Sequence, residues 1–553
     1  MSNRESARDA LDTEPSGWRT RLNATMIADC RASGAWRDRP IGAQLRALAK
    51  HAPNQTLFID DSGALSVSET LRSAQQLAMA LSRRGIRAGE VVSFQLPNWR
   101  EAVLVDLACA LAGFVCNPIV PIYRDMEVQL ILSASKSRAL FLPEQFRSFD
   151  YRAMIDRIAR HCPSLKHIVF VRDSAESFSR LINEGKGGVP LEHDPEPNHV
   201  KMLLYTSGTT SAPKGVLHTH NTIDAEVRNF SRYLRLDHRD VILMPSTVGH
   251  ITGYLYGIQM PITLGAIGVL MERWDPATAA DLIDRLGVTF TIGATPFLQE
   301  LTRYAIDNSR RMPSLRLFPC GGAAVPPSVV YAAEQAFARC SAFRLYGSTE
   351  APTITLGILE KTRTDMRAET EGMIVGHEVR IVDSEGTAVN QGQEGEILTR
   401  GPEVFIGYTD WQQNSAFDTD GFFHTGDVGR IDANGCLTIT GRIKDIIIRG
   451  GEKFSAKEVE DVIYTHPAIR EAAVVAMSHP RLGETGCACV TLKEQAEFDM
   501  NMLRDLMLKS GVAKQKWPEH LEIMEALPLT PSGKVKKAEL RDLVKDRRAT
   551  GEL

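Results

Sequence analysis

From about residue 65 the chain alternates between two apolar periods. In "SETLRSAQQLAMALSRRG", Leu71, Ala74, Leu77, Ala78 and Leu81 recur at three- and four-residue steps, which predicts a helix stopped near Gly85. "VVSFQL" then reads as a strand, "WREAVLVDLACALAGF" as a helix and "VCNPIV" as an extended segment. "RDMEVQLILSAS" is again helical, and "ALFLP" and "HIVFV" are short apolar strands. Strands alternating with helices predict a mainly parallel sheet covered on both faces, and this texture continues past residue 340. It then changes. "VDSEGTAVNQGQEGEIL" and "DTDGFFHTGDVGRIDANGCLTITGR" place Asp-Gly and Asn-Gly turns between short strands, which predicts hairpins. After "GRIKD" comes a compact unit. Ser455-x-x-Glu458 has the spacing of a capping box, "EAAVVAM" and "CACVTLK" read as strands, and "MNMLRDLMLKSG" and "KKAELRDLVKDRR" as helices.

These elements predict an α/β protein. A large N-terminal domain, 1–441, has mainly parallel sheets with flanking helices and a β-rich subdomain at about 355–441. A small mobile α+β domain, 442–553, follows a boundary near Gly441 to Lys444. The length of 553 residues agrees, being too great for one core. Val241 to Met271 lacks Asp, Glu, Lys and Arg and could suggest a membrane span, but Pro245, Pro261 and five glycines break it. A buried core segment fits better.

Composition narrows the classes. The formal net charge of -4 offers no basic field for nucleic acid or an anionic membrane. Nine scattered cysteines without metal-ligand spacing predict reduced thiols. "MSNRESARDALDTEPSG" lacks the apolar core of a secretion signal and "TGEL" is no peroxisomal address, so a cytoplasmic location is expected.

The stretch with most chemistry is "YTSGTTSAPKG", Tyr205 to Gly215. It is rich in Gly and hydroxyls like a phosphate loop, yet its Pro-Lys-Gly order is not the G-x-x-x-x-G-K-[ST] of a Walker loop. The "VLHT" that follows is β-like, and helical character resumes only near Asn221, so the loop joins two strands. Thr206, Ser207, Thr209, Thr210 and Ser211 offer hydroxyls, Gly208 and Gly215 allow close backbone approach, and Lys214 adds a cation. Alone, it reads equally as a phosphate cradle or as a Ser/Thr/Gly linker.

Further motifs tip that balance. "YTSGTTSAPKG", "LYGSTE" (Leu345 to Glu350), "HTGD" (His424 to Asp427), "GRIKDIIIRGGEKFSAKEVE" (Gly441 to Glu460) and "PLTPSGKVKK" (Pro528 to Lys537) occur in the order and approximate spacing of one family. Over roughly residues 40 to 545 the chain resembles the adenylate-forming superfamily, which includes acyl-CoA synthetases, peptide-synthetase adenylation domains and luciferases. The resemblance implies two half-reactions. A carboxylate attacks the α-phosphate of ATP to give an acyl-adenylate and pyrophosphate, and a thiol, usually that of CoA, then displaces AMP.

By the same resemblance, Thr206, Ser207, Gly208, Thr209, Thr210 and Lys214 hold the β- and γ-phosphates. Glu350 holds Mg²⁺ and Thr349 donates to the α-phosphate. Tyr346, Gly347 and Ser348, with Gly321, Gly322 and Ala323 of "CGGAAV", line the nucleotide pocket. The small residues of "CGGAAV" also suit tight packing at a strand end. Asp427 and Arg442 take the ribose. Lys534, in a Pro/Ser/Gly loop, bridges carboxylate and α-phosphate. Lys444 is the hinge about which the small domain exchanges the Lys534 face for the "RGGEKF" face. There Gly450, Gly451 and Lys453 receive CoA, and Gly451 leaves room for its pantetheine arm.

For the acid, His250 matches a family position beside the reacting carboxylate. Gly253, Tyr254, Thr295 and Pro296 are the other candidate acyl contacts. Gly249, Gly253 and Gly257 recur every fourth residue, either to leave room for an acyl group or to let two elements pack closely. In the family this chain resembles, amino-acid-activating members place an acidic residue in this region to hold a substrate ammonium, which when buried needs such a partner, and 241–271 has none. The resemblance therefore implies an acid with an apolar, uncharged body. "GHITG", "IGATPF", "CGGAAVP" and "LYGSTE" are similar to short- and medium-chain fatty acyl-CoA ligases and cyclohexanecarboxylate-CoA ligases. The rival readings are loading of a separate carrier protein, a luciferase-like oxygenase, and a nucleotide sensor, which would be expected to have lost Lys534 or Glu350. Lys534, read as exposed, is also a candidate for a lysine acetyltransferase.

Overall fold

Apolar runs too short to be helices pair into three main sheets. The computed structural model describes residues 14–188, 194–206, 213–323, 325–360, 362–449, 452–530 and 534–549. The first sheet has a parallel half made by Ser341–Tyr346, Leu317–Gly321, Phe290–Thr291, Val241–Met244, Ile267–Leu270 and Thr56–Asp60. A second, six-stranded sheet contains Val91–Phe94, Val115–Pro118, Ala139–Pro143 and His167–Val171 in parallel. Val200–Thr206 extends it, and Lys214–Thr219 closes it as an antiparallel edge. Helices Val67–Arg83 and Arg100–Ala112 lie in the core of this layer, as the strand–helix alternation predicts. The first starts with a capping box between Ser66 and Glu69, and Gly85 beyond its end has φ +86°.

The hairpin-rich region forms the expected antiparallel strands. Glu378–Val382, Gly395–Arg400, Phe423–Ile431 and Cys436–Arg442 also continue the first sheet to thirteen strands. The joint is Gly372–Ile374, which pairs with Thr355–Leu356 on one side and Cys436–Arg442 on the other. Open edges there would leave backbone donors and acceptors without partners. The third sheet, Glu452–Ser455, Ile446–Arg449, Gly483–Leu492, Ile469–His479 and His520–Ile523, has its own apolar core against helices Ala456–Ile463 and Met500–Lys509. Ser455 caps the first of these helices through the Lys457 N–H, at 3.1 Å. Glu458 contributes instead a 2.7 Å ion pair to Lys516. All nine cysteines are free.

Val241 to Met271 forms a strand, a helix with a π-helical turn at Tyr254–Gln259, and a second strand, nearly all buried. Among the described residues no helix is long and apolar enough to cross a membrane. The three glycines at four-residue spacing serve packing. A Cβ on Gly249 would lie 2.8 Å from the Ile119 carbonyl, and one on Gly257 2.7 Å from the Met244 side chain. One on Gly253 would collide with the Thr247 carbonyl.

A buried polar knot joins the two large sheets. Lys201 Nζ donates to both Asp106 oxygens, at 2.8 and 3.2 Å, and contacts the Tyr254 hydroxyl. Tyr254 Oη and Gln259 Nε2 donate to the same carboxylate at 2.6 and 2.7 Å. Lys201 and Asp106 are 1% and 0% exposed, so neither charge can fall back on water. Lys201→Met should therefore strand the Asp106 charge and lower unfolding free energy by about 3–5 kcal/mol in urea titration. A loss below about 1 kcal/mol would mean that the knot carries no buried charge pair.

Candidate functional site

The site lies at the carboxyl ends of the parallel strands, where open α/β sheets bind ligands. Strand Val200–Thr206 and strand Lys214–Thr219 form the expected hairpin, with Thr206 paired to Lys214 at its mouth. Ser207, Gly208, Thr209 and Thr210, which follow the first of these strands in the sequence, lie outside the described residues. Gly215 has a reason other than phosphate approach. A Cβ there would lie 2.6 Å from Thr409 Oγ1, and the Gly215 carbonyl accepts the Thr409 N–H at 2.8 Å. The "FIGYT" segment thus packs directly on the loop's exit strand.

That segment supports Glu350. The Phe405 N–H donates to the Glu350 carbonyl at 2.8 Å, and Tyr408 Oη donates to its Oε1 at 2.9 Å. Lys214 Nζ stands 5.0 Å above the Tyr408 ring, within cation–π range. Lys214, Tyr408 and Glu350 therefore form one row. Thr349 is held from the other side, where His218 Nε2–H donates to its carbonyl at 2.8 Å. Burial lowers the His218 pKa to about 4, so this clamp is a neutral imidazole. The sequence reading did not identify His218, Phe405 or Tyr408. His218 could have been suspected as a polar residue within an apolar strand, but no local pattern marks the other two.

Tyr346 ends its strand 6% exposed, and its hydroxyl donates to Asp427 Oδ2 at 2.7 Å. Asp427 and Arg442 are register partners on adjacent strands and make a 2.6 Å ion pair. Gly347 and Ser348 form a tight turn in which the Ser348 N–H donates to the Ala351 carbonyl at 2.8 Å. Gly321 lies beside Leu345 in register, and a Cβ on it would come within 2.6 Å of the Leu345 carbonyl. Gly322 is exposed with φ +81° and open space beside it, and half-buried Ala323 follows. "CGGAAV" thus combines close packing at Gly321 with an open backbone at Gly322.

Lys534 reaches this site from the third-sheet unit. It is paired with Thr530, whose N–H donates to the Lys534 carbonyl at 2.6 Å while the Lys534 N–H donates to Thr530 Oγ1 at 3.0 Å. The ammonium is not exposed, contrary to expectation. Burial and the Arg442 charge lower its pKa to about 8, against the opposing pull of Asp427 and Glu350. His250 is close enough to feel Lys534. Burial first and Lys534 second bring it to about 4, so it is neutral at pH 7. Lys534, His250, Glu350, Asp427 and Arg442 therefore share one electrostatic site. Nothing in this arrangement speaks for a lysine acetyltransferase.

The remaining expected residues are placed differently. The Tyr254 hydroxyl is committed to Asp106 and Lys201, and Gly253 to the Thr247 turn, so neither is available to an acyl group. Thr295 is buried at the start of helix Thr295–Asp307, and Pro296 beside it is exposed. Lys444 lies in a short turn after the Arg442 strand, where its carbonyl accepts from Arg541 at 3.3 Å. Asp445 beside it faces Lys537 and Arg541 at 3.6 and 3.8 Å. Lys453 lies on a strand, its backbone paired with Ile448. Gly450 and Gly451 lie outside the described residues. A single carboxylate suits Mg²⁺, which is held by one or two carboxylates together with substrate oxygens rather than by a protein cage. Glu350, oriented by Tyr408, fits that donor set.

Comparison with known proteins agrees with this geometry. Residues 45–409 match the model of the AMP-binding enzyme family, and 458–534 that of the AMP-binding enzyme C-terminal domain. A medium-chain fatty-acid–CoA ligase of Escherichia coli is 34% identical over 94% of this chain and 93% of its own length. A salicylyl-CoA synthase / salicylate adenylyltransferase of Streptomyces sp is 31% identical over 94% and 96%. The ATP-bound crystal structure of MatB from Rhodopseudomonas palustris superposes with a TM-score of 0.83 at 25% identity, covering 92% of this chain and 99% of MatB. With the family model spanning most of the chain, this protein belongs to the AMP-binding enzyme family and is an adenylate-forming acid ligase.

Proposed function

We propose that this chain activates a carboxylic acid with an apolar, uncharged body and transfers its acyl group to CoA. The observation that carries this is the convergence of Lys534 with His250, Glu350, Asp427 and Arg442. In the first half-reaction a substrate carboxylate oxygen bonds to the α-phosphorus of ATP as the bond to pyrophosphate breaks. Both reactants are anionic, so the protein must supply oriented positive charge. Lys534 supplies it at the carboxylate and α-phosphate, and Lys214 at the departing phosphates. Glu350 would hold Mg²⁺, which supplies charge neutralisation on the phosphates when bound. Asp427, set by Tyr346 and Arg442, accepts from the ribose hydroxyls. Neutral His250 lies beside the carboxylate without adding a competing cation.

In the second half-reaction the CoA thiol gives up its proton, its sulfur bonds to the acyl carbon and AMP leaves with the bonding electron pair. Lys534 beside Glu350 and Asp427 suits the first step. We infer that the unit beyond residue 442 rotates about Lys444, replacing Lys534 with the face that carries Gly450, Gly451 and Lys453. Asp445, held between Lys537 and Arg541, is the contact such a rotation would have to carry or release.

A short- or medium-chain fatty acid, or a cyclohexane or aromatic carboxylate, fits a wall without acidic residues between 241 and 271. The names of the fatty-acid and salicylate relatives favour the same two classes. The name of a further relative, a salicyl-AMP ligase / salicyl-S-ArCP synthetase of Mycobacterium tuberculosis, supports a second reading, in which a separate carrier protein takes the acyl group.

Three measurements test these assignments. Lys534→Ala should slow acid-dependent ATP–pyrophosphate exchange by about 100-fold or more, yet spare acyl-CoA formation from supplied acyl-AMP. Equal loss of both steps would sink the two-face mechanism. Because Lys534 is required as a cation and has a lowered pKa, kcat/KM for adenylation should fall as pH rises through about 8. Lys534→Arg should move that limb to higher pH, and an unmoved limb would assign it to another group. Finally, a panel of aliphatic, alicyclic and aromatic acids should release AMP continuously only with CoA. Turnover with a holo carrier protein and none with CoA would favour the second reading.

A further inference from the structure

Near Glu350 lies a second group of titratable side chains that the reaction does not use. Glu226 comes from helix His220–Leu234, His377 from the link between strands Gly372–Ile374 and Glu378–Val382, and Glu403 from the segment leading into Phe405 and Tyr408. Each offers one donor atom, and the three atoms lie within 4.8 Å of one another. The His377 and Glu403 side chains are 0% and 1% exposed, and Glu226 is 2% exposed.

Two carboxylates and one imidazole shut away from water need a compensating positive charge. His377, which faces Glu403 at 2.9 Å, is charged only when protonated. The hydrogen-bond pattern points the same way. His377 Nδ1 is engaged by Thr399 Oγ1 at 2.9 Å, which leaves Nε2 to face Glu403 Oε2 at 2.9 Å. Neither of those two buried atoms makes a hydrogen bond. A nitrogen oriented through its other ring position toward carboxylate oxygens is the usual preparation of a metal-binding imidazole. Outer partners hold the carboxylates. Tyr256 Oη donates to Glu226 Oε1 at 2.7 Å, and Asn229 Nδ2 donates to Glu403 Oε1. The neighbouring glycine makes room, since a Cβ on Gly376 would collide with the Glu403 carboxylate.

We propose that Glu226, His377 and Glu403 bind one divalent transition-metal cation of the zinc class. One nitrogen and two carboxylate oxygens suit such an ion, whose tetrahedral donors at ~2 Å stand ~3.3 Å apart. Small side-chain shifts would bring the three donors to that spacing. The role is structural. The cation ties the helix, the sheet edge and the Glu403 segment together, and that segment carries the Phe405 and Tyr408 contacts to Glu350. Tyr256, bonded to Glu226, also meets Thr353 at 2.5 Å, three residues beyond Glu350.

The test is metal content of the full chain, produced without a histidine tag in zinc-supplemented medium and dialysed against metal-free buffer. Elemental analysis should find about one zinc per chain, falling about tenfold or more in Glu403→Gln and His377→Gln. Glu350→Gln should retain the zinc, which separates this site from the nucleotide site. Stripping the wild type with 1,10-phenanthroline should lower its melting temperature, and Zn²⁺ alone should restore it. If the variants fail to fold, the wild-type content and the chelator response decide. Wild type without stoichiometric zinc and with a melting temperature indifferent to Zn²⁺ would overturn the proposal. So would loss of zinc in Glu350→Gln with retention in Glu403→Gln.

Discussion

The site depends on keeping one lysine charged where burial works against it. Lys534 arrives in a half-buried position beside the Arg442 cation, and both burial and Arg442 favour its neutral form. Glu350 and Asp427 pull the other way. These two acids also hold the chain in place. Asp427 joins Tyr346 to Arg442, and Glu350 joins the parallel-strand ends to the segment around Tyr408. The same carboxylates that would meet ribose and metal ion therefore set the charge of the group that meets the reacting carboxylate.

The sheets explain how these acids come to be fixed. Glu350 follows a parallel strand, while Asp427 and Arg442 are partners in an antiparallel ladder. The hairpin strands continue the parallel sheet without a break, so both acids sit on one hydrogen-bonded framework. Lys534 alone comes from a different sheet system, where it is paired with Thr530. That division suits a two-step reaction, in which the nucleotide stays in place while the charge that assists the first step is withdrawn.

The buried polar groups serve different ends. Lys201, Asp106, Tyr254 and Gln259 neutralise one another and pin the two large sheets together. Glu226, His377 and Glu403 gather two carboxylates and an imidazole at one buried point. In each case a desolvated carboxylate has to find positive charge. The first finds it within the chain.

Much of this was legible in the sequence. Apolar periods marked the helices at Val67–Arg83, Arg100–Ala112 and Met500–Lys509 and most strands, because periodicity reflects which face each element buries. The β-like exit after Lys214 correctly made the Gly-rich loop a strand connection, and five motifs in order identified the family. What the sequence could not express were meetings between distant residues. His218 clamps Thr349 from 131 positions away, and Tyr408 supports Glu350 from 58. Such pairs obey no local period and exist only once the sheets have packed. The same holds for the glycines at 249, 253 and 257, and for Gly215. Local spacing allowed both an open pocket and close packing, and only the neighbouring carbonyls and side chains brought by the fold decided for packing. The chain's own pattern determined its elements and the chemical groups they carry, because both are properties of adjacent residues. Which groups share a site, and with what charge, was decided by the tertiary structure, because burial and Coulomb interactions act through space.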